Sequence, residues 1–341
     1  MRIGLIGAGN ISQTHGRAAA AIAGVSVAAV YGQNKQKAER LAELHGARAY
    51  DNLDRFLDHK PMDAVAIGSP SGLHAAHGIV AARRGLHVLV EKPIDITTAR
   101  ADALVAEARA HRVKLGVFFQ DRLRPAVRRM KALVDEGTIG KPILASGRVK
   151  WWRPPEYYGG SRWRGTWALD GGGALMNQAI HTVDLMLWLL GPVRRVSART
   201  ATSFHQIEVE DTAVAVLEFA GGALGTFEAA TSAFPGFPRR LEVTGSGGTM
   251  VLEDDRLVSI DLREKGSSER DDPPFSAAAS ATSPVVADAS AHQAVIEDFI
   301  RAVERDEQPS CNGEEGRRSV EVVEAMYASA RRGGPVDVGR A

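Results

Sequence analysis

The feature that most constrains this chain lies near its first residue. Residues 3–6 form a short apolar run that stops at Gly7-Ala8-Gly9-Asn10-Ile11-Ser12, and an alanine-rich helical pattern covers residues 12–23. Strand, Gly-x-Gly turn and helix in that order satisfy what a dinucleotide requires. The turn is tight, the backbone can approach a pyrophosphate, and a helix N-terminus faces the phosphates. Ser12 stands where a third glycine is usual and is small enough for helix–strand packing. A glycine turn alone is weak; its context makes it specific. Gly7, Gly9, Asn10 and Ile11 are therefore expected to contact the cofactor.

The pattern then repeats. Strand patterns at 25–31, 64–67, 87–90 and 114–119 alternate with helical patterns at 35–44, 73–84 and 97–110. Short buried strands alternating with helices predict a parallel, doubly wound α/β sheet, with ligands bound beyond the strands' C-terminal ends. Those ends nominate Gly32, Asn34, Lys35, Ser69, Pro70, Leu73, His74, Glu91, Lys92 and Gln120 as cofactor residues. The second strand ends in Tyr31-Gly32-Gln33-Asn34-Lys35, with Lys37 behind and no carboxylate to hold ribose hydroxyls or repel a 2′-phosphate. The balance tilts slightly to NADP and leaves NAD open. Lys92, after an apolar strand in Glu91-Lys92-Pro93, is expected beside the nicotinamide and the substrate.

A second anchor spans residues 170–191, where three glycines open an apolar stretch and a Gly-Pro pair closes it. The spacing predicts one helix of roughly four to five turns. Asn177, His181 and Asp184 fall at i, i+4 and i+7, within about 60° of one another on its face. A buried helix with a polar stripe needs polar partners, and the glycines would let the backbone approach a ligand. The stripe by itself fits a satisfied core histidine equally well. Upstream, residues 151–167 hold four of the five tryptophans among several arginines. Aromatic faces stack on sugar C–H faces while Arg and Tyr bond hydroxyls, so Trp152, Arg153, Tyr157 and Tyr158 become substrate candidates. Trp163 and Arg164 are candidates for the cofactor. The competing reading is an aromatic core cluster.

From residue 123 the pattern changes. A helix at 126–136 precedes alternating strands at 143–152, 193–203, 212–219, 223–230, 240–244, 250–253 and 257–262, joined by glycine turns that indicate antiparallel hairpins. Residues 266–290 read as a long mobile surface loop, and helices at 291–305 and 314–331 close the chain. The expected division is a dinucleotide-binding domain at 1–122 and an α+β substrate and oligomerisation domain at 123–341. A formal net charge of +1 disfavours nucleic acid as partner. No run reaches membrane-span length and no leader pattern is visible, while a lone cysteine, Cys311, suits a reducing cytoplasm. A metal centre on His181 and Asp184 lacks an evident third ligand, so no metal is expected.

Together these motifs resemble the Gfo/Idh/MocA family of glucose–fructose oxidoreductases and inositol dehydrogenases. The resemblance rests on Gly7-Ala8-Gly9-Asn10-Ile11, Ser69-Pro70-Ser71-Gly72-Leu73-His74, Glu91-Lys92-Pro93, the Gly171–Gly173 run followed by His181-x-x-Asp184, and Gly313-Glu314-Glu315-Gly316-Arg317. It implies a nicotinamide-dependent oxidoreductase of a small sugar, sugar derivative or cyclic polyol. It also implies a large, mainly antiparallel second sheet that joins subunits into a dimer or tetramer. Lys92 and His181 would flank the reacting hydroxyl. Many members carry an aspartate four residues before that histidine; Asn177 stands there, able to hold a hydroxyl but not to relay a proton. Two other readings stay open. One is a glycoside hydrolase or lyase that keeps NAD bound and oxidises only transiently; the other is a non-catalytic dinucleotide sensor.

Overall fold

The structure, a computed structural model, describes residues 1–263, 268–270, 279–282 and 288–339. Contacts divide the chain into two units: Met1–Gln120 with Val285–Arg317, and Asp121–Pro284 with Arg318–Ala341.

The first unit is built on six parallel strands, β1 (Arg2–Ile6), β2 (Ser26–Tyr31), β3 (Arg48–Tyr50), β4 (Ala64–Ile67), β5 (His87–Val90) and β6 (Leu115–Val117), in the order 3-2-1-4-5-6. Helices α1 (Asn10–Ala20), α2 (Lys35–Leu44), α3 (Leu53–Leu57), α4 (His74–Ala82) and α5 (Thr98–Ala110) alternate with them. Strands such as Ala64–Ile67 are buried at every position, which is why they read as unbroken apolar runs. The order reverses between β1 and β4, so the turn after β1 lies at the topological switch point. β3 and α3 were not expected, being too short to show a period.

The second unit opens with α6 (Pro125–Asp135) and β7 (Pro142–Lys150), then α7 (Glu156–Gly159). A π-helical segment, Ala174–Ala179, runs into α8 (Ile180–Leu190). Strands β8 (Val193–Ala201), β9 (Thr212–Phe219), β10 (Leu224–Ala230), β11 (Arg240–Gly245), β12 (Gly248–Glu253), β13 (Arg256–Leu262), β14 (Ser268–Arg270) and β15 (Val336–Asp337) join β7 in nine strands ordered 14-13-12-11-7-10-9-8-15. Neighbours are antiparallel except β7 and β10, which run parallel. One face of alternate residues, including Ala145, Val149, Phe227, Ala229 and Leu241, is buried. Gly147 lets α8 sit close, since a Cβ there would lie 2.9 Å from the Met186 sulfur. Within the expected loop at 266–290, β14 pairs with β13 and α9 (Ala279–Thr282) forms a turn whose Ala281 carbonyl accepts from Trp152 and Arg153. The remainder of that expected loop lies outside the described residues, save 288–290.

The closing helices are α10 (Ser290–Glu304) and α11 (Gly313–Arg332). The expected boundary carried both into the second domain. Instead α10 packs on α1, so Val285–Arg317 belongs with the first unit.

The expected single helix over the polar stripe is also different in kind. The π-helical turns advance more residues per turn than α8, so Asn177 does not share one α-helical face with His181 and Asp184. Asp184 belongs to the fold. Both of its oxygens accept from Arg122, at 2.7 Å each, and Ser319 donates at 3.1 Å, all out of water. Removing one member of a buried pair strands the other's charge, at about 3–5 kcal/mol. Asp184→Ala is therefore expected to lower the unfolding free energy by that amount, read as a lower urea midpoint with an unchanged slope. A loss under 1 kcal/mol would show that Arg122 needs no counterion.

Candidate functional site

In the first unit, parallel strands bring the nominated turns to one sheet edge. Gly7 adopts φ +113°, and a Cβ there would come within 2.7 Å of the Gly68 carbonyl oxygen. Gly9 caps α1 with open space where a side chain would be, and α1 has no side-chain cap and no acid in its first turn. That end suits an anion. On the same edge the Gln120 Oε1 is buried without a hydrogen-bond partner among the described residues, as is the Ser12 hydroxyl. Buried orphan acceptors are rare, and the Gln120 oxygen, beyond the C-terminal end of β6, fits a ligand donor such as a carboxamide. These residues fit a nicotinamide dinucleotide.

Other nominated residues have structural partners. The Asn34 side chain caps α2 by accepting from the Lys37 amide at 3.0 Å. Gly32 packs against Ala8, where a Cβ would meet its methyl at 3.0 Å. Lys35 is well exposed and lies 3.9 Å from Glu39 one turn on, a solvated helix charge. His74 is buried with Nδ1 on the Pro93 carbonyl and Nε2 on the Ser69 carbonyl, each at 2.8 Å, stapling the two loops. Pro70 caps the short 3-10 turn Ser71–Leu73 that leads into α4. Glu91 is buried against His15 at 2.9 Å, while Lys92 next to it is half-buried.

In the second unit, two of the three glycines, Gly172 and Gly173, face protein at close range. A Cβ on Gly172 would fall 1.9 Å from the Tyr327 hydroxyl, and one on Gly173 1.9 Å from the Glu210 carbonyl. The expected ligand approach at these positions is thus taken up by packing. Glu210, which the sequence reading missed, accepts from the amides of Gly173 (3.1 Å) and Leu175 (2.8 Å) and from the Tyr327 hydroxyl (2.9 Å). A carboxyl group from the connection between β8 and β9 thereby caps the π-helical segment.

Asn177 has a specific neighbour. Its amide nitrogen donates to Asp170, and its oxygen accepts from Gln178 at 2.7 Å. Asp170, almost fully buried, also accepts from the Gly165 amide. An aspartate at 177 would set two carboxylates against each other; the asparagine supplies the donor that Asp170 needs. Gln178 continues the network to the Tyr157 hydroxyl and to Arg153.

His181 lies on α8 with Nδ1 3.8 Å from Asp121 Oδ2. Asp121 is gripped by Arg239 and by Arg124 at 3.2 Å. Burial pushes its carboxyl up, yet Arg239, His181 and Arg124 together hold it well below the usual range. An ionised carboxylate therefore stands beside the imidazole. Only the charge-rich stretch Asp121-Arg122-Leu123-Arg124 after an apolar strand hinted at this in the sequence.

The aromatic segment divides. Arg153 is buried, bonded to the Trp152 and Ala281 carbonyls. The Tyr158 hydroxyl shares a hydrogen bond with Thr231 and its ring meets His205 edge-on; Trp152 packs on Phe204 and Phe234. These three follow the core-cluster reading. The Arg164 guanidinium, by contrast, lies 4.4 Å from the Tyr157 ring centroid and 5.4 Å from that of Trp163, next to the Asn177–Gln178 network.

A six-stranded parallel sheet with a glycine turn at its switch point defines a dinucleotide-binding protein. Comparison with known proteins makes this particular. Residues 1–119 match the oxidoreductase family with an NAD-binding Rossmann fold, and residues 127–251 match the GFO/IDH/MocA C-terminal domain. The chain is 28% identical to inositol 2-dehydrogenase of Rhizobium meliloti (strain 1021) over 96% of each protein. It is 27% identical to 1,5-anhydro-D-fructose reductase of Ensifer adhaerens over 99% of this chain and 98% of that protein. The WlbA dehydrogenase of Bordetella pertussis, solved in complex with NADH and UDP-GlcNAcA, superposes with a TM-score of 0.87 at 31% identity, over 99% of this chain and 98% of that one. The chain belongs to the Gfo/Idh/MocA family and is an NAD-binding oxidoreductase of the sugar- and polyol-acting kind. The slight tilt to NADP finds no support in these matches.

The Glu210 cap carries a pH signature. Burial outweighs its hydrogen bonds and pushes the carboxyl up from 4.5 to about 7. A raised folded value means its contribution to stability is complete below pH 4.5 and is lost as pH climbs through 7, about 3 kcal/mol in all. The wild-type urea midpoint minus that of Glu210→Gln should fall across this window. A difference that stays level from pH 4.5 to 8 would refute the assignment.

Proposed function

We propose that the protein is an NAD-dependent dehydrogenase that moves hydride between the nicotinamide and a hydroxyl-bearing carbon of a sugar, sugar derivative or cyclic polyol. The observation that carries this reading is the nucleotide turn with its uncapped helix and the orphan Gln120 oxygen, in a chain of this family. NAD rather than NADP is favoured because Lys35 is a solvated charge paired within its own helix, leaving no dedicated phosphate site there.

The bound nicotinamide supplies the hydride acceptor or donor. The chain's part is to handle the proton and the charge on oxygen. His181 takes the hydroxyl proton on oxidation and returns it on reduction. Ionised Asp121, 3.8 Å from its Nδ1, stabilises the ring when it carries that proton. Lys92 stabilises the negative charge that develops on the substrate oxygen. Asn177 cannot relay a proton; held by Asp170, it presents a fixed amide. Tyr157, Trp163 and Arg164 form the stacked surface we assign to the sugar. The test is absorbance of reduced nicotinamide with NAD and NADP across sugars, polyols and glycosides, with product analysis. NADH should form in proportion to oxidised sugar, and Lys92→Ala and His181→Ala should each lower kcat about 10²–10⁴-fold with NADH affinity nearly unchanged. Glycoside cleavage without net NADH would move the protein to the transient-oxidation class.

We further propose a cytoplasmic homo-oligomer formed through the open face of the second sheet. On that face Leu144 and Leu224 are register neighbours, and Val214 and Val216 project from the adjoining β9; each is about half exposed. Contiguous apolar residues on a sheet face call for cover. Cys311 is the single cysteine of the sequence, so no disulfide within the chain is possible, in keeping with a reducing compartment. Sedimentation should find a dimer or tetramer that Leu144→Asp with Val216→Asp converts to monomer. Wild-type monomer at micromolar concentration would end this proposal.

A further inference from the structure

Three side chains of the first unit form a buried polar cluster that hydride transfer does not use. Glu91 Oε1 is 2.9 Å from His15 Nε2 on α1 and 3.5 Å from His292 Nε2 on α10; all three side chains are nearly inaccessible. Glu91 Oε2 accepts from the backbone amide of Lys92 at 3.1 Å. His15 lies flat on Phe118, centroids 4.3 Å apart at 8°, and Phe118 in turn meets His292 at 5.5 Å.

Two imidazoles and a carboxylate within 4.8 Å of one another have the composition of a divalent-metal site. The remaining ring nitrogens argue otherwise. A metal on Nε2 leaves the proton on Nδ1, which then needs an acceptor. The Nδ1 atoms of His15 and His292 are both buried with no hydrogen-bond partner among the described residues. The protons therefore belong on Nε2, where both rings donate to Glu91. Hydrogen bonds from the two histidines outweigh burial and hold Glu91 well below the usual carboxylate range.

We propose that His15, Glu91 and His292 are positioning residues that fix the Glu91-Lys92-Pro93 turn, and so the Lys92 ammonium, to the helix leading from the nucleotide turn. The idea rests on the role assigned to Lys92 above. The turn is held at its other end too, where the Pro93 carbonyl meets His74 Nδ1. Apolar packing would bury this turn equally well, but directional hydrogen bonds from two helices set its orientation. Misplacing a reacting group by about 1 Å costs on the order of 10²-fold in rate. Because α10 comes from far along the chain, His292 extends this control to a segment remote from the nucleotide turn.

The test uses His292→Ala, His292→Gln, Glu91→Gln and Lys92→Ala in the full-length protein, with the most active sugar of the panel as substrate. NADH affinity is read by fluorescence, and the acylation rate of every lysine by acetic anhydride and mass spectrometry. In His292→Ala and Glu91→Gln, kcat should fall about ten- to a hundredfold, and NADH affinity should stay within about threefold. The Lys92 acylation rate should rise several-fold while the other lysines keep theirs. His292→Gln, which retains a donor, should recover much of the loss. If kcat and Lys92 labelling stay at wild-type values in both variants while Lys92→Ala is inactive, positioning is refuted and the role of Lys92 stands. If Lys92→Ala stays active, the role of Lys92 itself is wrong. Equimolar zinc retained by wild type through dialysis and lost in His292→Ala would also overturn the proposal, making the cluster a metal site.

Discussion

The Asp184 carboxylate sits in the most apolar helix of the second unit and stays charged because Arg122 grips both its oxygens. Much follows from that pair. Arg122 comes from the first residues of the unit and Ser319 from α11, so one buried charge gathers three distant stretches around α8. On the same helix, the His181 ring has the Asp121 carboxylate 3.8 Å from its Nδ1. A buried ion pair adds little net stability over apolar packing, but it tolerates few alternative arrangements. That suits a helix whose histidine has to point in one direction.

The same use of buried carboxyl groups recurs. Asp121 is held between Arg239 and Arg124, Glu91 between two histidines, and Glu210 at two helix amides and a tyrosine. In each case the carboxylate fixes backbone or a basic side chain next to a residue assigned to catalysis, without itself being assigned to the substrate. First contacts and their supports are thus carried by different residues, as precise placement of reacting groups requires.

Much of this was legible in the chain. Unbroken apolar strands and amphipathic helices revealed the parallel sheet because burial on both faces leaves an unmistakable pattern. Alternation did the same for the second sheet. β3, α3 and α9 were not legible, since each holds too few residues to show a period and none is an unbroken apolar run like β4 or β5. The π-helical segment escaped for another reason: spacing arguments presume 3.6 residues per turn, and the Glu210 cap that holds Leu175 and Gly173 lies some 35 residues away in sequence. The glycines were found but misread, because close approach by Tyr327 and by a ligand leave the same mark on a sequence. Asp121 and Glu210 were missed since their partners are tertiary.

The return of α10 to the first unit has a consequence for how the chain is made. Every strand of the six-stranded sheet has left the ribosome once residue 120 has emerged. The helix that covers α1 arrives about 170 residues later, roughly 10–30 seconds at ordinary translation speeds. Through that interval the face of α1 that α10 covers stands open to water, and Glu91 has only one of its two histidines. The first unit therefore gains its last contacts only when nearly the whole polypeptide exists.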